Sequence, residues 1–591
     1  MSRAGGIPGL QAGEDVKSKR RRTKAAIRAA RPFTRKGTES EGNLNEKTGP
    51  REVALIKRSK DGSLRARGAY ERFDLPLSGE GKPGDLITVR RSKRRAELCE
   101  RIGRPSSVKT AVEALAIAAG ELPHGAALEG EARAAARRGM GGGRRDLRKL
   151  PTFTIDGEAT RDFDDAISAR REGRRIRVWV HVADVSAYVR PGSPLDRDAR
   201  RRATSVYLPT LTVPMLPRAL SEGACSLVPG AERAAVSCEL LLEGRRLRER
   251  RIYRSVIRSD ARLTYDHVDQ VFLGRAEPGP TYAAALAAAR QAALDRTRAG
   301  DGGEERSEPI FELSGDGREV IGISERRETE SHRLIERLMV LANEQVASFL
   351  EERGVPTLYR THSAADPERL ERMLRRLRSL GLEPAEPTFQ AALEAARKTG
   401  NEVLISLVLA SRAPACYERE LGAHEGLGLA SYCHFTSPIR RYADLVVHRA
   451  LLAELGLEPL ATAPRYSELP EAAEALNERT RTARKLARRA EAICRVSLLR
   501  RRLRRKEIGR ELEGRITGVG KAGVFVEIDC CEGLIGARRP GGGANPEETV
   551  WRTAQERELR LGESVRVRIA GIDPVRGRLE LRLAGRGEHG I

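Results

Sequence analysis

From Arg51 to about Arg104 apolar and polar positions alternate in short runs, VALI, GAYERF and DLITVRR, separated by the turn signals DG, SGEG and KPGD. Alternation at period two over such lengths predicts half-buried strands, and several of them in succession predict a small antiparallel barrel. The segment VKTAVEALAIAAGEL changes to helical spacing and predicts a connector. Between residues 150 and 505 strand-like runs such as RIRVWVHVADV mix with helical ones such as SHRLIERLMVLANEQVASFLEERG. That mixture predicts an α+β region of about 350 residues. Its last helix, NERTRTARKLARRAEAICRVSLLRRRLRRK, is strongly basic. From Glu511 short alternating strands return, from ELEGRITGVGKAGVFVEID to ESVRVRIAGIDPVRGRLELRL, and predict a second five-strand barrel. The predicted order is an arm over 1–49, a barrel and connector over 50–145, the α+β region over 146–506 and the second barrel over 507–585.

Length supports several cores, since 591 residues at about 150 per domain give roughly three to five domains. Charge narrows the class. Lys and Arg number 108 against 83 Asp and Glu, a formal charge of +25, and the excess runs along the whole chain. A polyanionic partner explains it, and so does the Arg and Ala enrichment of a G+C-rich genome. Residues 1–49 carry 12 Lys and Arg and 5 Asp and Glu with few large apolar side chains, which predicts a disordered basic arm. The absence of a long apolar run or an apolar leader core predicts a cytoplasmic protein that does not meet a membrane. The eight cysteines form no CxxC pair or repeated ligand interval and are expected to be reduced, mostly buried thiols. There is no helical repeat. The Gly-rich stretches GMGGGRRD and RPGGGANPEE are expected to be flexible linkers, and neither has the Gly and Lys spacing of a phosphate-binding loop.

The chemistry concentrates in LPTFTIDGEATRDFDDAISA, which places Asp156, Asp162, Asp164 and Asp165 within ten residues of one another. Carboxylates this close repel one another unless cations neutralise them, and an all-oxygen set selects magnesium or manganese over zinc. TFTID is expected to deliver Asp156 at a strand end, GEATR to turn, and DFDDAISA to return as a strand with Asp162 and Asp164 on one face. A solvated acidic loop is the plain alternative. A calcium loop is disfavoured because the DxDxDG order and the closing Glu are missing.

TIDGEATRDFDDAI is very similar to the signature of the ribonuclease R and ribonuclease II catalytic domain. The similarity continues in order through VWVHVADVSAYVRPGSPLDRDARRRATSVYLP, PMLPRALSEGACSL, SHRLIERLMVLANE, LYRTH and GLGLASYCHFTSPIRRYADLVVHR, covering most of residues 145–500. The resemblance implies a multidomain α+β protein in which an RNB catalytic domain is flanked by OB-fold barrels, cold-shock-type before it and S1-type after it. It implies a 3′-to-5′ exoribonuclease of the exoribonuclease II type that hydrolyses RNA to nucleoside 5′-monophosphates. Magnesium, with manganese as the alternative ion, is the implied cofactor. Single-stranded RNA 3′ ends are the implied partner, with structured RNA as a further class, and the protein is expected to act as a monomer.

Residue by residue, the resemblance makes Asp156, Asp162 and Asp165 metal ligands and ties Asp164 most directly to the chemistry. Arg440 of TSPIRRYAD matches the arginine set against the scissile phosphate, whereas Arg441 is expected to contact the RNA backbone or support structure. His448 is expected to be a buried hydrogen-bonded His. Tyr207 matches an aromatic that stacks on a base near the 3′ end, with core packing as its alternative. Glu491 matches a glutamate near the substrate, and Lys521 and Phe525 suit an RNA-binding face on the second barrel, where Arg538 and Arg539 stand near the place of a missing aromatic or His. Tyr70 and Phe73 are candidate stackers on the first barrel, or strand core. The family's second stacking Phe has no counterpart in register, since GDGGEERSEP stands there and Phe311 lies just beyond it. A non-hydrolytic RNA-binding protein that retains the fold is the rival reading.

Overall fold

The protein is described by a computed structural model over residues 51–297, 307–362, 366–536, 543–553 and 556–584. The predicted basic arm lies outside the described residues, as do Arg538, Arg539 and most of GDGGEERSEP. Among the described residues no helix is long and apolar enough to cross a membrane.

Strands β1 (Glu52–Arg58), β2 (Leu64–Gly68), β3 (Asp74–Ser78), β4 (Leu86–Arg91) and β5 (Ala96–Gly103) close into a barrel in the order β1-β2-β3-β5-β4. Alternation sets its inside. Ala54, Ile56, Ala66, Ile87 and Val89 fill the interior, while Val53 and Leu86 pack outward with Ala114 of the helix Val108–Ala118. That helix is the predicted connector, capped by the Ser107 side chain, which accepts from Thr110 N–H. Among the described residues one barrel precedes the central region.

The central region is built on β6 (Arg145–Asp146), β7 (Phe153–Asp156), β8 (Asp165–Glu172) and β9 (Arg175–Ala183). A hairpin of β10 (Val206–Leu208) and β11 (Leu211–Val213) stands apart, and β12 (Glu232–Glu243), β13 (Arg246–Arg258) and β14 (Ala261–Thr264) complete a sheet ordered β14-β7-β8-β9-β12-β13-β6. The sheet is covered on both faces, which is why RIRVWVHVADV reads as an almost continuous apolar run. On one side Val178, Val180 and Val182 meet Leu334, Leu338 and Val346 of the helix Glu330–Glu352. Ala183, Ala235 and Ile257 belong to a second cluster with Leu445 of the helix Tyr442–Glu454. That helix is buried from Tyr442 to Leu452, and its buried Asp444, His448 and Arg449 are each hydrogen-bonded among the apolar side chains.

Two further hairpins, β15 (Ser307–Leu313) with β16 (Val320–Arg327) and β17 (Tyr359–Thr361) with β18 (Cys416–Glu418), flank the core. The basic run forms the helix Leu469–Arg504. It packs against the helix Val108–Ala118, β10, β16 and β18, and against the second barrel, so one rod joins both barrels to the centre. The second barrel has β19 (Glu511–Gly520), β20 (Gly523–Ile528) and β21 (Cys531–Gly536), an inserted sheet of β22 (Gly543–Ala544), β23 (Val550–Arg552) and β24 (Glu558–Arg560), then β25 (Ser564–Asp573) and β26 (Arg578–Leu583). Its order, β19-β20-β21-β26-β25, repeats that of the first, the five-strand Greek-key arrangement of OB folds.

Three expectations are corrected here. The return strand starts only at Asp165, so Asp162 and Asp164 lie in a loop and strand alternation does not orient them. The GMGGGRRD stretch is anchored at its end, because Arg144 is buried against Asp184 at 2.8 Å and β6 pairs in parallel with β13. Tyr70 is no free stacking platform. Its hydroxyl donates towards Val575 O at 3.2 Å and Ala111 O at 3.4 Å, and Arg489 lies over its ring, so it ties the first barrel to the second and to the long helix. Phe73 is half-buried and packs against the first barrel's core, with Arg91 over its ring.

Candidate active site

The mouth of the β7–β8 hairpin gathers the carboxylates. Phe153 pairs with Ile167, so the end of β7 at Asp156 and the start of β8 at Asp165 are neighbours. The loop between them is pinned by the apolar residue that separates its aspartates: Phe163 is buried, its N–H donates to Ser226 Oγ at 3.0 Å, and its carbonyl accepts from Leu227 N at 3.0 Å. The Asp164 carbonyl accepts from Ala183 N at 2.8 Å. These three backbone hydrogen bonds fix where Asp162 and Asp164 point.

Asp164 is 4 % exposed and crosses to the TSPIRR segment. Its Oδ1 accepts from Ile439 N at 2.7 Å and its Oδ2 from Arg440 Nε at 3.2 Å. Arg440 also donates from Nη2 to Ser437 Oγ at 3.1 Å, yet its side chain remains 46 % exposed, leaving donors free to meet a ligand. The segment is held from three sides. Ser205 N and Thr204 Oγ1 donate to Arg440 O at 2.9 and 3.0 Å. Asn343 Oδ1 accepts from Phe435 N and Thr436 N at 2.8 and 3.2 Å, and Asp444 Oδ1 accepts from Ser437 N at 2.7 Å. Arg441 forks onto Asp444 at 2.8 and 2.7 Å, so its guanidinium is committed to holding the segment.

Tyr207 stands on β10 with 46 % exposure, and its hydroxyl donates to Asp162 Oδ2 at 2.8 Å. Burial of the hydroxyl end and the adjacent carboxylate push the phenol's titration up. The ring is thereby presented beside the carboxylates rather than packed in the core.

Electrostatics shows what the cluster lacks. Burial pushes Asp164 up to about 8, against the lowering effect of Arg440. Burial also raises Asp156 and Asp165, reinforced by the charges of Asp164 and Asp162 beside Asp156 and by that of Asp156 beside Asp165. Neither Asp156 nor Asp165 makes an ion pair among the described residues. Shielded carboxylates short of positive charge are what a hard divalent cation satisfies, and the donor set is oxygen throughout. The fit is one of chemistry, not of a finished cage: among the described residues no three His, Cys, Asp or Glu side chains converge as a preformed ligand set.

The remaining expected residues lie elsewhere. Glu491 and Phe525 line one groove between the long helix and the second barrel, together with Arg488, Arg495 and Arg576. Lys521 is exposed in the turn joining β19 to β20. His448 is fully buried, its Nε2 bonded to Phe435 O at 2.9 Å and its ring stacked on Phe435, a structural role. Phe311 packs against the cluster that contains Val206 and Leu208, beneath the strand of Tyr207, with Arg495 over its ring. The sequence reading missed Asn343, Asp444 and Ser205 as the supports of the arginine segment. A polar Asn inside the apolar helical run LMVLANE was the available signal.

The family description RNB domain matches residues 144–456. Ribonuclease R of Escherichia coli is 40% identical over 327 residues, which are 52% of this chain and 40% of that protein. Ribonuclease R of Aquifex aeolicus is 35% identical over 466 residues, 74% of this chain and 65% of that protein. The chain thus spans less than two thirds of the length of these curated relatives. In fold, the structure of Mycoplasma genitalium RNase R in complex with ribose methylated single-stranded RNA matches with a TM-score of 0.78 at 22% identity, covering 92% of this chain and 91% of that one.

Proposed function

The chain belongs to the RNB-domain family, and from that premise we propose that it is a divalent-metal-dependent 3′-to-5′ exoribonuclease hydrolysing RNA to nucleoside 5′-monophosphates in RNA turnover and quality control. One observation carries the reading: a nest of charge-short carboxylates, Asp164 buried and Asp156, Asp162 and Asp165 half-buried, faces a half-exposed arginine across a narrow gap bridged by Asp164. That pairing of an acidic pocket with a guanidinium is suited to a phosphodiester whose charge grows during cleavage.

Asp156, Asp162, Asp164 and Asp165 are the residues that would hold the cation, magnesium or manganese. When bound, such an ion supplies an activated water and neutralises charge on the leaving oxygen. The chain's own residues do the rest. Arg440 turns its outward donors to the scissile phosphate while Asp164 and Ser437 set its orientation. Arg441 keeps the segment rigid through Asp444. Tyr207 stacks on the base of the terminal nucleotide, a contact indifferent to base identity, which gives digestion without sequence preference. Glu491, Lys521 and Phe525 contact the strand farther from its end.

The domain plan is a basic arm over 1–49, a cold-shock-like barrel and connector over 50–145, the RNB domain over 146–506 and an S1 barrel over 507–585. The partner is RNA with a free 3′ end; the protein works as a cytoplasmic monomer away from membranes. Incubating the protein with a 5′-labelled oligoribonucleotide tests the reading. Magnesium gives products shortened stepwise from the 3′ end together with nucleoside 5′-monophosphates, and EDTA stops the reaction. Full-length RNA persisting in both would favour the non-hydrolytic RNA binder.

A further inference from the structure

Arg360, in β17, is a buried cation that the carboxylate site does not use. The residue is 6 % exposed. Pairing with Tyr417 of β18 and donation from its N–H to Tyr432 O at 2.8 Å fix its backbone from both sides. Its guanidinium lies 4.6 Å from the centre of the Tyr417 ring. Among the described residues that guanidinium makes no ion pair or hydrogen bond, whereas Arg440 is engaged by Asp164 and Arg441 by Asp444. None of its nitrogens is sealed off as an orphan, so its donors open on solvent-reachable space.

The charged groups that act on it are like-charged, Arg484 of the long helix and Arg441. Shielding a guanidinium beside two others, without a carboxylate, opposes stability unless an anion completes the site. The aromatic face of Tyr417 offsets only part of that, since a cation–π contact contributes about 0.5–2 kcal/mol. The anion's route is also marked. Arg484, Arg488, Glu491 and Arg495 follow one another at intervals of four, three and four residues, which puts them on one face of the long helix. The last three line the groove against the second barrel with Phe525, and the first is close enough for its charge to act on Arg360.

We propose that Arg360, assisted by Arg484, is a binding site for a backbone phosphate of the RNA strand, one that grips an internal phosphodiester while Arg440 engages the terminal one. The inference rests on the ribonuclease reading. Arg360 is a planar fork on a short rigid strand, so it holds register rather than merely attracting charge.

The test measures binding of a labelled single-stranded oligoribonucleotide in EDTA, so that nothing is cut, across a series of salt concentrations. Arg360→Gln is expected to weaken binding about fivefold to twentyfold at low salt. It is also expected to flatten the plot of log affinity against log salt by about 0.7, the share of one phosphate contact on a single strand. Arg360→Lys keeps the slope and loses part of the affinity, because one point charge replaces a fork. The RNA-free thermal midpoint of Arg360→Gln should be no lower than that of the parent, since removing an unpaired buried charge relieves the fold. Arg484→Gln, on an exposed helix position, gives a second flattening of the slope that does not depend on the core. Parent protein that binds RNA while these variants keep its affinity and slope overturns the phosphate site. So does a lowered midpoint for Arg360→Gln with an unchanged slope. Parent protein that binds no RNA at all overturns the ribonuclease reading itself.

Discussion

Asp164 spends one oxygen on a backbone N–H and points the other at a guanidinium, so its position survives loss of charge better than its chemistry does. Asn at this position keeps an oxygen for Ile439 N and removes the negative charge from the cluster. Asp164→Asn is therefore expected to lower turnover by roughly 10²–10³-fold or more, while RNA affinity stays within a few-fold because the strand's phosphate contacts are elsewhere. Single-turnover digestion and filter binding on the same preparation check both halves, and lost binding would contradict the assignment. At this scale the sequence was informative where residues are close along the chain. Four aspartates within ten positions announce themselves. Asp444 and Asn343 did not: Asp444 reads as one more charge beside Arg441 until Ser437 N and Arg441 are seen to converge on it, and Asn343, though marked by its apolar neighbours, accepts from donors more than 90 positions away. Arg360 was hidden for a further reason: LYRTH displays its arginine, but only the fold shows that no carboxylate among the described residues comes to meet it.

The TSPIRR segment is neither helix nor strand, and its rigidity comes from outside. Asn343 accepts the N–H groups of Thr436 and of Phe435 just before it, and donates from Nδ2 to the Tyr432 hydroxyl at 3.0 Å. Asn343→Ala would leave buried donors without partners and is expected to lower stability by about 2–4 kcal/mol. It should also reduce turnover through a displaced Arg440. A denaturant midpoint read beside the rate at saturating RNA checks this; a stable variant with full turnover would show that the segment holds itself. Elements with strong periodicity were legible, as in both barrels and the basic helix, since period two and period 3.6 follow from side-chain geometry. The start of β8 was misplaced because DFDD alternates like a strand, whereas its backbone is taken by Ser226, Leu227 and Ala183. Tyr70 misled for a related reason: an aromatic on a barrel surface looks free until a second barrel is packed against it.

The whole molecule is organised by one helix. Leu469–Arg504 contacts the central core and the second barrel and meets the first through Arg489 over Tyr70, so an arginine-rich face of a single rod runs from the second barrel towards the arginines near the carboxylates. This gives the chain's charge of +25 a direction that composition alone lacks. Class and order of the regions were legible because each keeps its own period, and the meeting of the two barrels was not, because it depends on side chains more than 500 positions apart.

Cleavage at this site requires that the carboxylate nest take a hard cation. Calorimetric titration of the RNA-free protein with manganese, for the parent chain and for Asp156→Asn with Asp165→Asn, tests this most directly. Saturable binding by the parent, accompanied by a raised thermal midpoint as repulsion in the nest is relieved, and its loss in the double variant are the results the account predicts. Equal binding by both proteins, or none by the parent, would contradict it.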